Sequence, residues 1–170
     1  TTHILKVSDI SISGTLDLLG IIYKEIAINN SQITNMLQIS KVEKLELFGI
    51  KNPSIKFTDD LYSDVNIKDS MFVDFELNSA ITLNIYKSTF SGIFSLFGEQ
   101  NNSITLDTVK LINKCDFPNM NSLTLNKCRF NKEINFDKTT VISSKDTNFK
   151  DEVKFLSEYN DIKLEECRFH

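Results

Sequence analysis

An apolar pattern recurs about every twenty residues along this chain, and it constrains the fold more than any other feature. Leu123-Thr-Leu-Asn-Lys-Cys-Arg-Phe-Asn-Lys-Glu-Ile-Asn-Phe136 shows it most clearly. With Leu123 as position one, the first position falls at Leu5, Ile26, Leu45, Val65, Leu83, Ile104, Leu123, Ile142 and Ile162. Position three reads Val7, Ile28, Leu47, Ile67, Ile85, Leu106, Leu125, Ser144 and Leu164. Position eight reads Ile12, Ile33, Asn52, Phe72, Phe90, Leu111, Phe130, Phe149 and Phe169. Positions twelve and fourteen carry the pairs Leu16/Leu18, Leu37/Ile39, Ile55/Phe57, Phe75/Leu77, Phe94/Leu96, Cys115/Phe117, Ile134/Phe136 and Val153/Phe155, with a one-residue deletion in the fourth unit before Phe75. These columns hold 41 apolar residues in 43 places. A chain of 41% hydrophobic content would place roughly 18 there by composition alone.

Inside each unit the apolar residues alternate at i, i+2, the strand period. Ile, Val, Leu and Phe alternating with Ser, Thr, Asn and Lys suit half-buried strands. No window holds a helical stripe. Three short strands per unit predict stacked coils, each pairing with its neighbours at about 4.8 Å. One coil cannot bury its own face, so stability comes from stacking. The expectation is an all-β chain, a right-handed parallel β-helix solenoid of about nine coils of roughly 20 residues.

Position six departs from the large apolar rule. It reads Ile10, Ser31, Ile50, Ser70, Ser88, Val109, Cys128, Thr147 and Cys167. Small side chains at a tapering corner leave room for the ring that follows. Phe130, Phe149 and Phe169 are therefore expected to stack coil on coil, and Phe117, Phe136 and Phe155 to do so on the next face.

The corner tripeptides Ser70-Met-Phe72, Ser88-Thr-Phe90, Cys128-Arg-Phe130, Thr147-Asn-Phe149 and Cys167-Arg-Phe169 resemble the pentapeptide-repeat family. That resemblance implies a square right-handed parallel β-helix. Positions one/three and six/eight keep the five-residue step, whereas twelve/fourteen come one residue late, as in a divergent relative. A leucine-rich repeat is the runner-up, since Met120-x-x-Leu123-x-Leu125-x-x-Cys128-x-Phe130 looks like its ladder segment. Against it, Ile50 and Val109 occupy the ladder position, and the pair at twelve and fourteen reads as strand.

The 170 residues suit one β-solenoid domain, 1–170. Net charge is −4, which argues against nucleic acid or anionic membrane as partner. No run of apolar residues is long enough for a membrane span, and no secretory signal is visible. Many lysines against only Arg129 and Arg168 suggest an AT-rich bacterial gene. Cys128 and Cys167 share a column two coils apart, about 9.6 Å by strand spacing, too far for a disulfide. Reduced core cysteines lean towards a cytoplasmic location. The C-terminal coil has no polar cap, so the chain reads as a piece of a longer one, or as an end covered by a partner such as a second copy.

His3 and His170 are the only histidines. No Cys/His metal spacing, glycine-rich phosphate loop or nucleophile–base set can be assembled, and no cofactor is expected. Asp59-Asp60 reads as a solvated loop rather than a cation site. Phe48 and Tyr86 share position four two coils apart with Lys68 between them, a candidate contact patch. Phe97 lies just outside the repeat, at the start of a longer loop ending at Ser103. Arg129 and Arg168 share position seven with Asn148 between them, a candidate paired grip on an anion.

The expectation for function is a non-catalytic structural or protein-interaction scaffold, binding a protein partner or spacing flanking domains. The family resemblance implies an alternative, a DNA mimic that inhibits a DNA-binding enzyme. A glycan-binding surface β-helix is a further alternative.

Overall fold

The computed structural model describes residues 3–51, 53–58, 62–78, 80–97, 101–156 and 161–170, and for residues 101 and 102 the backbone alone. All regular structure among them is β, and every strand pairing is parallel. The chain winds as a parallel β-solenoid of about 8 turns of ~19 residues. A first sheet of nine strands runs from His3–Ser8 to Asp161–Glu165. A second, made of two-residue strands, runs from Ser11–Ile12 to Arg168–Phe169, its two parts joined through Lys51, which bridges Gln32 and Met71. A third has eight strands, from Leu16–Leu18 to Val153–Phe155. The ninth unit has no described strand in the third sheet, so nine repeats close about eight turns.

The register of the repeat is the register of the sheets. Leu5 pairs with Ile26, Ile26 with Leu45 and Leu123 with Ile142 in the first sheet. Phe72 pairs with Phe90 in the second, and Leu16 with Leu37 in the third. The one-residue deletion before Phe75 is present, since Ile55 pairs with Phe75. The third turn is short in the same place: Lys51 to Ile55 spans one residue fewer than Gln32 to Leu37. The pair at twelve and fourteen forms the third sheet, as the β-helix reading requires. Asn52 and Asp59-Asp60 lie outside the described residues.

Inward residues fill one continuous core. Burying a large aliphatic or aromatic side chain stabilises by about 1.5–3 kcal/mol, and stacking adds to this. Phe130 lies 5.3 Å from Phe149 and Phe149 5.0 Å from Phe169, with ring planes within 11°. Phe117, Phe136 and Phe155 stack at 5.5 and 5.3 Å. Phe72/Phe90 and Phe75/Phe94 repeat the arrangement in the middle turns. In the final turn the same columns are open on one side, and Ile162, Leu164 and Phe169 are exposed.

At the fourth corner Tyr23 pairs with Val42 and Tyr62 with Ala80, while Leu61 lies outside the described residues. Tyr62 is fully buried, and its hydroxyl donates to the Ile39 carbonyl at 3.1 Å. A phenol suits this corner because its ring fills the core while its O–H meets a carbonyl at the edge. Asn101–Asp107 is a strand, so the loop expected to run to Ser103 ends earlier.

Candidate functional site

The backbone at position five carries the turn from the first sheet to the second. Asp9, Asn30, Asp69, Lys87, Thr108, Lys127, Asp146 and Glu166 have φ between 46° and 57°, and Gly49 has φ 65°. Each unit thus places one residue in the left-handed region, which favours Gly, Asn and Asp. Except at Glu166, their N–H groups donate to the position-four carbonyl of the next coil, for example Asp69 to Tyr86 at 3.0 Å and Gly49 to Lys68 at 3.0 Å. This corner holds the position-four side chains at the rim of the first sheet, one per coil.

Three of the sequence candidates meet there. Phe48 pairs with Lys68 and Lys68 with Tyr86 across adjacent strands. Phe48 and Tyr86 are 38% and 37% exposed, whereas most described rings of this chain are buried. The Lys68 ammonium sits 5.7 Å from the centroid of the Phe48 ring, a cation–π contact. Lys68 forms no ion pair with a described residue. Together with Asn29, Glu46 and Asn66 these three side chains line a concavity of about 250 Å³. Leu47 and Ile67, whose side chains are buried in the core, also line it.

The polar groups of the concavity are partly committed. Glu46 pairs with Lys44 at 2.8 Å, which offsets its charge beside Lys68. The Asn66 side-chain oxygen accepts from the Asn84 amide at 3.0 Å, leaving the Asn66 amide to donate outward. The surface therefore combines two rings, the Lys68 cation, the Glu46 carboxylate held by Lys44 and the amides of Asn29 and Asn66. Asn29, Glu46 and Asn66 were not singled out from the sequence. Their legible signal was their place in columns four and two beside the aromatic residues.

The remaining candidates lie elsewhere. Phe97 follows the third-sheet strand Phe94–Leu96 at another corner and is 60% exposed. Arg129 and Arg168 each pair with Asn148 in the second sheet, so their shared column is confirmed. Lys110 precedes Arg129 in that column and adds a cation that the sequence reading did not include. Neither arginine forms an ion pair with a described residue. The six candidates thus occupy three separate places.

Along the third sheet's outer face, charges of the later coils are engaged with one another. Glu133 bonds Lys114 at 2.7 Å and Lys154 at 3.1 Å, and Lys154 reaches Glu152 at 3.0 Å. Hydrogen bonds from Lys114 and then Lys154 hold the Glu133 carboxyl down at about 2. The three cysteines are free thiols. Burial pushes Cys128 up to about 11 and Cys115 higher still, which disfavours a reactive thiolate at either. Among the described residues no group of three or more His, Cys, Asp and Glu side chains is placed to hold a metal ion.

Comparison with protein-family models, with curated proteins and with solved structures returned no significant match.

Proposed function

We propose that this protein is a non-catalytic scaffold that binds a protein partner through the Phe48–Lys68–Tyr86 surface. The observation that carries this reading is an exposed pair of rings flanking a cation that has no carboxylate partner among the described residues, on a rigid stack of coils. Aromatic side chains are enriched at protein interfaces and dominate their energetics. A solenoid suits such a task because each coil holds its outward residues at a fixed height. In this reading the solenoid is a divergent relative of the pentapeptide-repeat proteins, works in the cytoplasm and needs no cofactor.

The test is quantitative affinity capture from cells that express the parent gene. The unaltered protein is compared with the Phe48→Ala/Tyr86→Ala double variant and with Phe97→Ala. Selective loss of a protein in the double variant alone supports the reading. Identical capture by all three overturns it.

A further inference from the structure

The chemistry of a partner segment can be read from the spacing of the two rings, and this step rests on the interaction reading above. Phe48 and Tyr86 are two register steps apart in one column. Two steps of a parallel sheet amount to about 9.6 Å. A polyproline II helix rises about 3.1 Å per residue with three residues per turn, so residues i and i+3 share an edge about 9.3 Å apart. Such a segment lying across the coils presents successive edge residues at nearly the same interval as the rings. An extended strand does not match as well: its same-face interval is about 6.6–6.8 Å.

Three further features fit the same occupant. Proline rings pack on aromatic faces, and proline-rich segments dock into aromatic-lined grooves because little conformational entropy is left to lose. A polyproline II backbone makes no internal hydrogen bonds, so its carbonyls are free to accept from an amide such as that of Asn66, whose oxygen is already taken by Asn84. Lys68 lies between the two rings in register, and its cation forms no ion pair with a described residue, the Glu46 carboxylate of the same concavity being paired with Lys44. A carboxylate on the middle stretch of the segment complements that charge.

We infer that the Phe48–Lys68–Tyr86 surface binds a proline-rich segment in the polyproline II conformation, with prolines three residues apart on Phe48 and Tyr86 and an acidic residue between them on Lys68. The binding is non-covalent. Its specificity comes from the ring interval and from one ion pair.

The probe is fluorescein-labelled (Pro-Pro-Glu)3, titrated against the whole 170-residue chain by fluorescence anisotropy. Comparison peptides are (Pro-Pro-Gln)3 and the flexible (Gly-Ser-Glu)3. Saturable binding of (Pro-Pro-Glu)3 is expected, at least tenfold tighter than (Gly-Ser-Glu)3. Phe48→Ala and Tyr86→Ala should each weaken it fivefold or more. Lys68→Gln should abolish both the preference for Glu over Gln and the dependence on salt. Phe97→Ala and Arg168→Gln should leave it unchanged, and matching melting transitions establish that the variants are folded. Absence of saturable binding, equal binding of the flexible peptide, or indifference to the ring variants overturns the inference. So does Tyr86-dependent binding of cellohexaose or chitohexaose in place of the peptides. If the peptide fails while the double variant still loses a captured protein, the ligand class falls and the interaction reading stands. Failure in both experiments removes both.

Discussion

The Ser70 hydroxyl oxygen accepts the main-chain N–H of Ile50, one coil earlier, at 3.0 Å, and the same hydroxyl donates to the Lys68 carbonyl at 2.8 Å. Ser88 repeats the arrangement one coil on, accepting from the Ser70 N–H at 3.1 Å and donating to the Tyr86 carbonyl at 2.8 Å. Thr147 does so for Cys128, at 3.4 and 3.0 Å. Space was the reason expected for a small residue at position six. The hydrogen bonds add a second reason: a buried corner has an N–H that needs an acceptor.

Ser70→Ala keeps the volume almost unchanged and removes that acceptor. Ser70 is 1% exposed, so water cannot easily replace the hydroxyl. The variant should lose about 1–3 kcal/mol, the cost of an unsatisfied buried donor. Urea unfolding followed by circular dichroism checks this. An unchanged midpoint would mean that the hydrogen bond contributes nothing net.

Gly49 and Lys87 occupy the same left-handed corner with opposite consequences. At Gly49, φ is 65° and an added Cβ would lie 2.8 Å from the Asn30 side-chain oxygen. Gly49→Ala should destabilise by about 1–2 kcal/mol from backbone strain. Lys87, at φ 46°, already bears that strain. Lys87→Gly should therefore be neutral to stabilising by up to about 1 kcal/mol, the relief being partly offset by the glycine's entropy. Melting temperatures of the two variants should move in opposite directions, or at least differ clearly.

Glu133 couples stability to acid. Its carboxyl titrates at about 2 in the folded chain, against the ordinary 4.5, because Lys114 and Lys154 bond the charged form. The depressed value means that its contribution is fully present above pH of about 4.5 and is lost as pH falls towards about 2. Glu133→Gln should melt lower than the parent chain at pH 7, with the difference vanishing near pH 2. A constant difference across that range would contradict the coupling.

Phe90 should be the most costly single truncation among the rings tested. It contacts Phe72, Phe75 and Phe94 at centroid distances of 5.4, 5.4 and 4.9 Å and is fully buried. Phe90→Ala should cost about 3–5 kcal/mol. Phe169→Ala, at 54% exposure in the last turn, should cost far less. Thermal melts rank the two, and equal losses would be inconsistent with a core supported from both sides only in the middle turns.

Most of the architecture was legible because the coil is periodic in both sequence and space. Once Leu5, Ile26 and Leu45 are aligned, the strand pairing follows, since only one register puts every apolar column inward. The same register placed Phe48, Lys68 and Tyr86 in one outward column. Two things were not legible. The inward turn of Tyr62 carries no repeat signal, because the fourth-corner places hold Tyr23, Val42, Ala80, Met120 and Thr139, which share no residue type. The left-handed residue at position five was not read either: Asp9, Asn30, Gly49, Asp69 and Asp146 are types that favour it, but Lys87, Thr108, Lys127 and Glu166 interrupt the signal.

The amino-acid order by itself determined the solenoid, its strand register and the Phe stacks, because those depend only on a period of apolar residues. The tertiary structure decided the rest. It turned Tyr62 inward, set the corner hydroxyls between coils and gathered Asn29, Glu46 and Asn66 around two rings while leaving Phe97, Arg129 and Arg168 on other faces. These outcomes depend on the heights and directions of side chains on neighbouring coils, which no single repeat specifies.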